Sequence, residues 1–519
     1  ADKRLSADPF LLPDMDRAVA RIYRALLSGE SIAVYGDFDV DGVTSTALLV
    51  QGLTGLGAKV TPYIPHRLTE GYGLSSDALA NLHKQGISLV ITVDCGITGV
   101  PQVKKAGKIG LDIVITDHHT PLEELPPATA VVNPKLPGSA YPFPGLAGVG
   151  VALKLLQALY QSLGKEDQLD GVGDLVALGT VADMMPLLGE NRHLVKYGLK
   201  LINTSPRLGV RELMTQCGLN AGSLDSETIS WVIAPRLNTP GRLEHAMSSY
   251  QLLTTNSVPE AQELSRWLEE KNTERQKLTA EALARARQQV LAEGIAPLLV
   301  TGDSDCPAGI AGLVAGRLCE EFYRPAIAVR VGDFMSTGSC RSIPEFNIVL
   351  ALDQCRNLLS RFGGHPQAAG FSLLTRNLPR LKEQLSQLAA TQLAKVDLRP
   401  VIEIDAQVSL SDLGGSTFPT IQQLAPFGCG NPAPTFLSRA VNVVDCRTMS
   451  AGGDHLRLKL QQGHTTWDAV AFRLGCHLDE VLSPLDIVYN LEIDHWGGGH
   501  MLRLNILDFA PASQERSCE

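Results

Sequence analysis

Five short apolar runs, each ending in a polar turn, alternate with helical patterns over residues 31–133. Helical spacing such as TSTALLVQGLTGLG (44–57) separates the runs. Near-continuous apolar strands with helices between them are typical of a parallel sheet that is covered on both faces. The N-terminal part is therefore predicted to be α/β. The five runs read SIAVYGDF (31–38), KVTPYIP (59–65), ISLVITVD (87–94), LDIVITD (111–117) and TAVVNP (129–134).

The rest of the chain predicts a helical part, a long connecting helix and two further domains. Residues 145–255 are mostly helical in pattern, and an α/β pattern returns over 296–395. Residues 399–513 contain short alternating strands with turn residues between them, which indicate a small β-barrel resembling an OB-fold. We expect domains over 1–255 (a lead over 1–30, motifs over 34–187, a helical part over 145–255), 296–395 and 399–513.

The connector is predicted over residues 256–295. Strong helix formers fill this stretch, and Pro259 stands near its start, where a helix tolerates proline. A single helix of this length would span roughly 50 Å. A coiled-coil dimer is the alternative, but Leu264, Leu268 and Leu278 do not keep a heptad spacing.

Composition narrows the class of protein. A chain of 519 residues is too long for one core, and 44% hydrophobic with 19% charged residues is typical of a globular protein. No apolar run reaches the roughly 18 residues of a membrane helix, and ADKRLSADPF (1–10) has no signal-peptide core. Ten scattered cysteines indicate reduced thiols and a cytoplasmic location. The net charge of −10 argues mildly against a nucleic-acid coat protein but does not exclude a nuclease.

Acidic side chains follow the apolar runs. Because the carboxyl ends of parallel strands meet at one edge of a sheet, we expect these side chains to converge. Carboxylate oxygens with imidazole nitrogen suit Mn²⁺ or Mg²⁺, and such a set can hold two ions about 3.5 to 4 Å apart. The residues concerned are Asp37, Asp39, Asp41, Asp94, Asp117, His118, His119 and Asp183.

Each of these pieces also has an ordinary explanation. Asp37, Asp39 and Asp41 fit a solvated loop or a helix cap, Asp94 fits a turn, and a pair of histidines is a common surface feature. The aspartate spacing also resembles a calcium loop, but the EF-hand glutamate at position 12 is missing. The coincidence of all the pieces at element ends favours a metal site, and the lack of thiolates argues against structural zinc.

These motifs resemble a known superfamily. GDFDVDGVTSTALL (36–49), TVDCGI (92–97), TDHH (116–119) and LGTVADMMPL (178–187) are similar to motifs I to IV of the DHH phosphoesterases. GGHPQAAG (363–370) is similar to the glycine-rich motif of the associated DHHA1 domain. Within that superfamily, the chain resembles the RecJ family of single-strand-specific DNA exonucleases, through LAGVGVALKL (146–155), APRLNTPGRL (234–243) and GSCRSI (338–343).

The resemblance implies a 5′–3′ exonuclease for single-stranded DNA that works by two-metal catalysis with Mn²⁺ or Mg²⁺ in DNA repair and recombination. The alternatives are another DHH phosphodiesterase acting on short oligonucleotides, cyclic dinucleotides or polyphosphate, and an inactive relative that serves as a scaffold. The implied metal ligands are Asp39, Asp41, Asp94 as the bridge, His118 and Asp183. Asp37, Asp117 and His119 would act in catalysis, with His119 facing the scissile phosphate.

The resemblance also implies contacts with the strand. Partners would be single-stranded DNA, a single-strand-binding protein and a helicase, with no membrane. The start of AGVGVALKL fits an anion-binding helix end and a plain helix start equally well. The sequence departs from the family at Pro307, where a histidine is usual, and at Cys340, where a glycine is usual. The implied phosphate contacts are Arg236, Arg242, Arg341, Gly363, Gly364 and His365. Most aromatic rings of the barrel segment are expected to fill its core, but Trp467 and Trp496 stand among polar neighbours, so we expect them to be exposed and available to stack on bases.

Overall fold

The computed structural model describes residues 6–67, 69–169, 171–220, 222–449, 452–494 and 501–512. The chain divides into two compact units, residues 1–400 and 401–519. The first unit contains two sheets, and the second contains one. Within the described ranges, no helix has both the length and the apolar character needed to cross a bilayer.

The first sheet has five parallel strands in the order β2-β1-β3-β4-β5. The order changes direction between β1 and β3, and open α/β sheets bind ligands at the carboxyl ends of the strands next to such a switch point. The predicted parallel sheet is confirmed. Its elements are α1 (Met15–Ser28), β1 (Ser31–Tyr35), α2 (Val40–Gly55), β2 (Lys59–Tyr63), α3 (Ser76–Lys84), β3 (Ile87–Val93), α4 (Val100–Lys108), β4 (Asp112–Thr116) and β5 (Ala130–Val132).

A helical layer follows this sheet and covers one of its faces. In α5, buried residues occur around the whole helix, from Gly148 to Tyr160, which is typical of a core helix rather than a surface one. α2 packs against both α5 and α6, so the helix that starts beside the switch point is fixed by two neighbours. The layer comprises α5 (Gly148–Ser162), α6 (Gly173–Ala182), α7 (Gly189–Thr204), α8 (Leu208–Gln216), α9 (Ser226–Thr228), α10 (Ala234–Asn238), α11 (Pro240–Leu243) and α12 (Met247–Thr254).

The predicted connector helix is confirmed as α13 (Val258–Glu293), which has 36 residues. Ser257 caps its start by accepting a hydrogen bond from the Glu260 amide, and a proline lies in the first turn. The first turns pack into the core of the first sheet through Ala261 and Leu268. The last turns pack against the second sheet through Ala286 and other small residues.

The second sheet is mixed, in the order β6-β7-β8-β10-β9, and only β6 and β7 are parallel. The sequence pattern did not reveal β8, because its residues MSTGSCR are small and polar rather than apolar. The elements are β6 (Leu299–Asp303), α14 (Ala308–Phe322), β7 (Ala326–Arg330), β8 (Met335–Arg341), α15 (Ile348–Gln354), β9 (Arg361–His365), β10 (Ala368–Leu374) and α16 (Leu378–Leu393).

The second unit contains a closed barrel of five strands. Pairings run β12-β13-β14-β16-β15, and β15 pairs with β12 to close the ring, which confirms the predicted OB-like barrel. In the alternating stretch VIEIDAQVSL (401–410), which predicts a strand, only Ala406–Gln407 form one, β11. Val401 is 85% exposed, because no neighbouring strand among the described residues covers it. The elements are β11 (Ala406–Gln407), α17 (Thr417–Gln422), β12 (Phe436–Met449), β13 (His455–Gln462), β14 (Thr465–Ala471), β15 (Leu485–Asp494) and β16 (Met501–Pro511).

Candidate metal centre

Acidic and histidine side chains from four elements lie together at the switch point. Asp37 follows β1, Asp94 follows β3 and His118 follows β4, so three strand ends contribute. Asp183 caps the C-terminal end of α6, where the helix dipole disfavours a negative charge. A cation beside the Asp183 carboxylate would offset this effect.

The start of α2 positions two more carboxylates. Asp39 is the N-cap of α2 and accepts a hydrogen bond from the Gly42 amide at 3.0 Å. Asp41 lies in the first turn and accepts hydrogen bonds from the amides of Gly148 at 2.6 Å and Val149 at 2.8 Å. The start of α5 therefore binds an anion, but this anion is a side chain of the protein itself.

Gly148 allows this close approach. A Cβ atom at Gly148 would lie 2.7 Å from the Cβ and Oδ1 atoms of Asp94, which is closer than side chains tolerate. Asp94 itself has a φ of 59°, in the left-handed region that non-glycine residues rarely adopt. The backbone strain at Asp94 and the glycine opposite both serve to place this carboxylate in the cluster.

His118 is the centre of the cluster. Its Nε2 atom lies 3.0 Å from Asp94 Oδ1, 3.5 Å from Asp183 Oδ2 and 3.9 Å from Asp41 Oδ2. Burial, together with the neighbouring His119, lowers the pKa of His118 to about 3. The ring is therefore neutral at pH 7, and a neutral ring can act as a metal ligand.

The carboxylates repel one another in the absence of a cation. Burial and the charge of Asp39 raise the pKa of Asp41 to about 7, and they also raise the pKa of Asp37. Burial, and then Asp41, raise the pKa values of Asp94 and Asp183. These groups would keep their ordinary pKa values only if positive charge were added among them.

Several buried polar atoms of the cluster have no hydrogen-bond partner among the described residues. They are Asp37 Oδ1, Asp94 Oδ1 and both ring nitrogens of His118. Three sets of ligand atoms lie within 4.8 Å of one another: Asp94, His118 and His119; Asp41, His118 and Asp183; and Asp37, Asp39 and Asp94. Oxygen-rich sets that include an imidazole fit divalent ions such as Mn²⁺ or Mg²⁺. Asp94 and His118 each belong to two of the sets. Of these two, only the Asp94 carboxylate has two oxygens with which to bridge a pair of ions, so Asp94 fits a bridging position.

Asp117 holds the histidine loop in place instead of joining the ligand sets. Its carboxylate accepts hydrogen bonds from the amides of His118, His119 and Ile97 at 2.7, 3.0 and 2.9 Å. It also contacts His119 Nδ1 at 2.8 Å. Burial alone would raise the pKa of Asp117, but the hydrogen bonds from His119 and the charges of His119 and His118 together outweigh burial, and the pKa is lowered.

His119 is protonated at neutral pH. Burial opposes the charge, but the hydrogen bond to Asp117 and the charges of Asp117, Asp183 and Asp37 together raise the pKa of His119 to about 9. The hydroxyl of Tyr72 lies 3.3 Å from each ring nitrogen of His119. The ring of His365, on β9 of the second sheet, stacks on His119 with a centroid distance of 6.1 Å. The predicted pair His119 and His365 thus comes together from the two sheets.

The predicted glycines precede His365 on β9. Gly364 has a φ of 142°, and a Cβ atom there would lie 2.3 Å from the carbonyl oxygen of Ala368. Gly363 has open space where a side chain would start. The glycines therefore serve a tight pairing of β9 with β10 and leave the backbone near His365 accessible.

The three predicted arginines have different surroundings. Arg236 donates hydrogen bonds to Glu269 and to the carbonyl of Val232, so its guanidinium is engaged within the protein. Arg242 donates to the carbonyl oxygen of Gly309 at 3.2 Å, and Arg341 donates to that of the preceding cysteine. Neither Arg242 nor Arg341 has an acid within ion-pair distance among the described residues.

Sequence reasoning missed three further residues at this site. Arg67 stacks over the Phe38 ring at 4.8 Å, and its charge interacts with Asp37. Tyr72 lies on the same segment between β2 and α3, and Lys135 follows β5. The acids were located as polar residues that follow the carboxyl end of a strand. The same criterion would also have found Arg67 and Lys135.

The barrel places the predicted tryptophans differently. Trp467 is half-buried against the barrel core, and its indole N–H donates to the carbonyl oxygen of Leu410 at 3.0 Å. Trp496 lies outside the described residues. Phe472 is 42% exposed, with His455 at its edge and the Arg503 guanidinium 5.9 Å from its centroid. Among the aromatic rings of the barrel that the structure describes, Phe472 is the one exposed enough to meet a ligand.

Comparison with known families agrees with this geometry. The N-terminal domain of the DHH family matches residues 31–180, the DHHA1 domain matches 288–391, and the RecJ OB domain matches 404–508. The DHH match covers the switch point with Asp37 and His118, and the DHHA1 match covers His365.

Full-length relatives decide the family. The single-stranded-DNA-specific exonuclease RecJ of Dickeya dadantii is 34% identical over 96% of this chain and 90% of its own length. The chain belongs to the RecJ family. The RecJ of Bacillus subtilis is 38% identical over 97% of the chain, but the chain spans only 64% of that relative and 61% of the Thermus thermophilus one.

Solved structures of RecJ are similar as well. RecJ from Thermus thermophilus in complex with Mn²⁺ matches 97% of this chain with a TM-score of 0.84 and 32% identity, over 72% of that chain. An exonuclease RecJ bound to manganese matches 75% of this chain with a TM-score of 0.64 and 37% identity, over 98% of that chain. The RecJ similarity thus includes the fold around the acidic cluster.

Proposed function

We propose that this protein is a metal-dependent exonuclease that hydrolyses single-stranded DNA from its 5′ end. The observation that carries the proposal is the buried cluster around His118, whose unpaired ligand atoms fit two divalent cations. We assign Asp39, Asp41, Asp94, His118 and Asp183 as ligands. Asp37 stands beside Asp39 and Asp94 in a ligand set, and we assign it as a further ligand or base.

Bound Mn²⁺ or Mg²⁺ ions would neutralise the carboxylates, activate water and stabilise the oxygen that leaves phosphorus. The protein supplies the rest of the chemistry. His119, protonated through Asp117, would donate a hydrogen bond or a proton to the scissile phosphate. His365 on the second sheet would face the same phosphate, because its ring lies against His119.

Arginines beside the cluster would hold the end of the strand. Arg67, Arg242 and Arg341 are close enough to raise one another's electrostatic energy, and Arg67 also interacts with Asp37. Guanidinium groups donate in pairs to phosphate oxygens, so they would fix a terminal 5′ phosphate next to the acids. The 5′–3′ polarity itself rests on the family resemblance.

The barrel would bind the strand further from its end. Bases stack on exposed rings such as Phe472 at about 1–3 kcal/mol each. The alternative, a phosphodiesterase for short oligonucleotides or cyclic dinucleotides, would not need the barrel. A chain ending at Pro400 should therefore lose affinity for long strands while it still cleaves a short one. Equal affinity for a long strand with and without the barrel would favour the alternative.

A time course with labelled DNA tests the proposal. Strands labelled at the 5′ or the 3′ end, and a blunt duplex, are incubated with Mn²⁺ or Mg²⁺. We expect the 5′ label to appear first as mononucleotide and the duplex to resist. Asp94→Ala should abolish release, whereas Asp77→Ala, at an exposed acid on α3, should not. Early release of the 3′ label would refute the polarity, and an activity of the unaltered chain no higher than the residual activity of Asp94→Ala would leave only a scaffold role.

We further propose a cytoplasmic role in DNA repair and recombination, where a helicase and a single-strand-binding protein would present the strand. The proposed preference for unpaired DNA supports this role, because the two strands at a blunt duplex end would have to be separated before one of them could be degraded. Adding a helicase that opens the duplex should start nucleotide release from it. No release under those conditions would count against the partnership.

A further inference from the structure

The middle of α13 is polar although it is partly buried. Up to Leu268 the helix packs into the core of the first sheet, and from Leu278 onwards it packs against the core of the second sheet. Between these two contacts the helix carries Asn272, which is 1% exposed, and the half-buried Arg275. The junction of the two sheets with the connector therefore contains polar groups where apolar packing would be expected.

These polar groups lack partners. Both amide atoms of Asn272 and the Nε atom of Arg275 are buried with no hydrogen-bond partner among the described residues. The two side chains are three residues apart on one helix, so they lie on the same face. A buried donor without a partner is costly, and most such groups in proteins are bonded to protein, water or a ligand.

Positive charge surrounds Arg275. α13 packs against α10, α11 and α14, which carry Arg236, Arg242 and Arg317. Arg236 is paired with Glu269, and Arg317 with an acid on its own helix. Arg242 and Arg275 have no such acid in the parts of the chain that the structure describes.

Burial and the neighbouring positive charges lower the pKa values of Arg242 and Arg275. Burial, followed by the charges of Arg67, Arg275 and Arg341, lowers the pKa of Arg242 to about 9. Burial, followed by Arg236, also lowers the pKa of Arg275. The buried arginines thus resemble the acidic cluster with the opposite sign of charge. Like charges lie close together, and only an added counterion would reduce their repulsion.

We propose that Asn272 and Arg275 bind a phosphate-type anion at the junction of the first sheet, the connector helix and the second sheet. The guanidinium fork of Arg275 and the amide N–H of Asn272 match the geometry of phosphate oxygens. The same chemistry is offered by a phosphate of the DNA strand and by a free phosphate. An anion there would bridge elements of both sheets and hold them together.

Thermal unfolding of the metal-free full chain with inorganic phosphate tests the site. EDTA keeps the catalytic cluster free of metal, so the result does not depend on the proposed nuclease activity. Without phosphate, Arg275→Gln and Asn272→Leu should unfold at the same or a higher temperature, because each removes an unpaired buried group. With phosphate, the unaltered chain should gain stability, and Arg275→Gln should bind phosphate about tenfold or more weakly.

A matched control lies on the same helix. Arg266→Gln removes an equal charge from the exposed face of α13 and should keep the full response to phosphate. If Arg275→Gln gained as much stability from phosphate as the unaltered chain, the site would be refuted. If the substitution lowered the unfolding temperature equally with and without phosphate, Arg275 would have only a structural role, and the proposal would also fail.

A second arm identifies the source of the anion. Binding of a fluorescent single-stranded oligonucleotide is measured without divalent metal for the Arg275→Gln and Arg266→Gln variants. A loss confined to Arg275→Gln, together with competition by inorganic phosphate, assigns the site to a phosphate of the strand. Unchanged oligonucleotide affinity combined with a lost phosphate response assigns it to a free anion. If neither measurement changes, the proposal is wrong.

Discussion

Replacing Asp117 by asparagine should remove the charge that keeps His119 protonated and narrow the pH range of activity. A pKa raised from 6.5 to about 9 corresponds to roughly 3 kcal/mol in favour of the protonated ring. Most of this gain comes from the hydrogen bond and the charge of Asp117; the charges of Asp183 and Asp37 add to it, and burial acts in the opposite direction. With Mn²⁺ bound beside Asp183 and Asp37, Asp117→Asn should bring the pKa of His119 back towards the ordinary histidine value of about 6.5.

The sign of the effect follows from the role of the protonated ring. Activity of the unaltered protein should persist until the pH rises through about 9, whereas Asp117→Asn should lose activity as the pH rises through about 6.5. At pH 8 the variant ring would be only about 3% protonated, so turnover should be about thirtyfold lower. At pH 5.5 the two proteins should differ much less.

Nucleotide release from a 5′-labelled strand is measured between pH 5.5 and 9.5 at saturating Mn²⁺. His119→Gln serves as the control: it should remove the loss of activity at high pH altogether, and adding Asp117→Asn to it should cost little more. The variant's circular dichroism and unfolding temperature show whether its fold is intact. If Asp117→Asn and the unaltered protein lost activity at the same high pH, Asp117 would not be the group that keeps His119 protonated.

Three further predictions concern the cluster and the barrel. Metal-free Asp94→Asn should be more stable than the unaltered chain at pH 8, because burial and like charges raise the pKa of Asp94, and equally stable below pH 4. No gain in chemical denaturation at pH 8 would contradict this. Gly148→Ala should lower turnover about a hundredfold, because the new Cβ atom would displace Asp94, whereas Gly150→Ala on the same helix should change turnover little. Equal turnover of the two variants would show that the close approach of Gly148 to Asp94 is unimportant. Trp467→Phe should lower the stability of the barrel in thermal unfolding by about 1 kcal/mol and change single-strand affinity little. Phe472→Ala should weaken single-strand affinity, measured by fluorescence anisotropy, by about 1–3 kcal/mol. A larger loss of affinity in Trp467→Phe than in Phe472→Ala would contradict the assignment.

The sequence predicted the features that depend on local pattern. Apolar runs of β-branched residues located β1, β3 and β4, and the residues after them located Asp37, Asp94 and His118. Strand ends in a parallel sheet must share an edge, so a one-dimensional pattern was enough to bring these residues together. The metal-binding hypothesis followed from the type of these side chains.

Features that depend on long-range packing were not predictable in the same way. The start of α5 was open to two interpretations, because the sequence does not show that Asp41 lies opposite it, more than a hundred residues away. Trp467 was expected to be exposed from its polar neighbours, but a strand places alternate residues on opposite faces, and this one faces the core. The polar pair Asn272 and Arg275 lies in a helix that reads as uniformly exposed, and only the packing of the two sheets buries it.

Anomalous diffraction from crystals grown with Mn²⁺ shows directly whether the acidic cluster holds metal. We expect two manganese peaks among Asp39, Asp41, Asp94, His118 and Asp183, with Asp94 in contact with both. Crystals of Asp94→Ala should lose at least one of the two. No peak in this cluster, or carboxylates turned away from one another, would rule out the two-metal site.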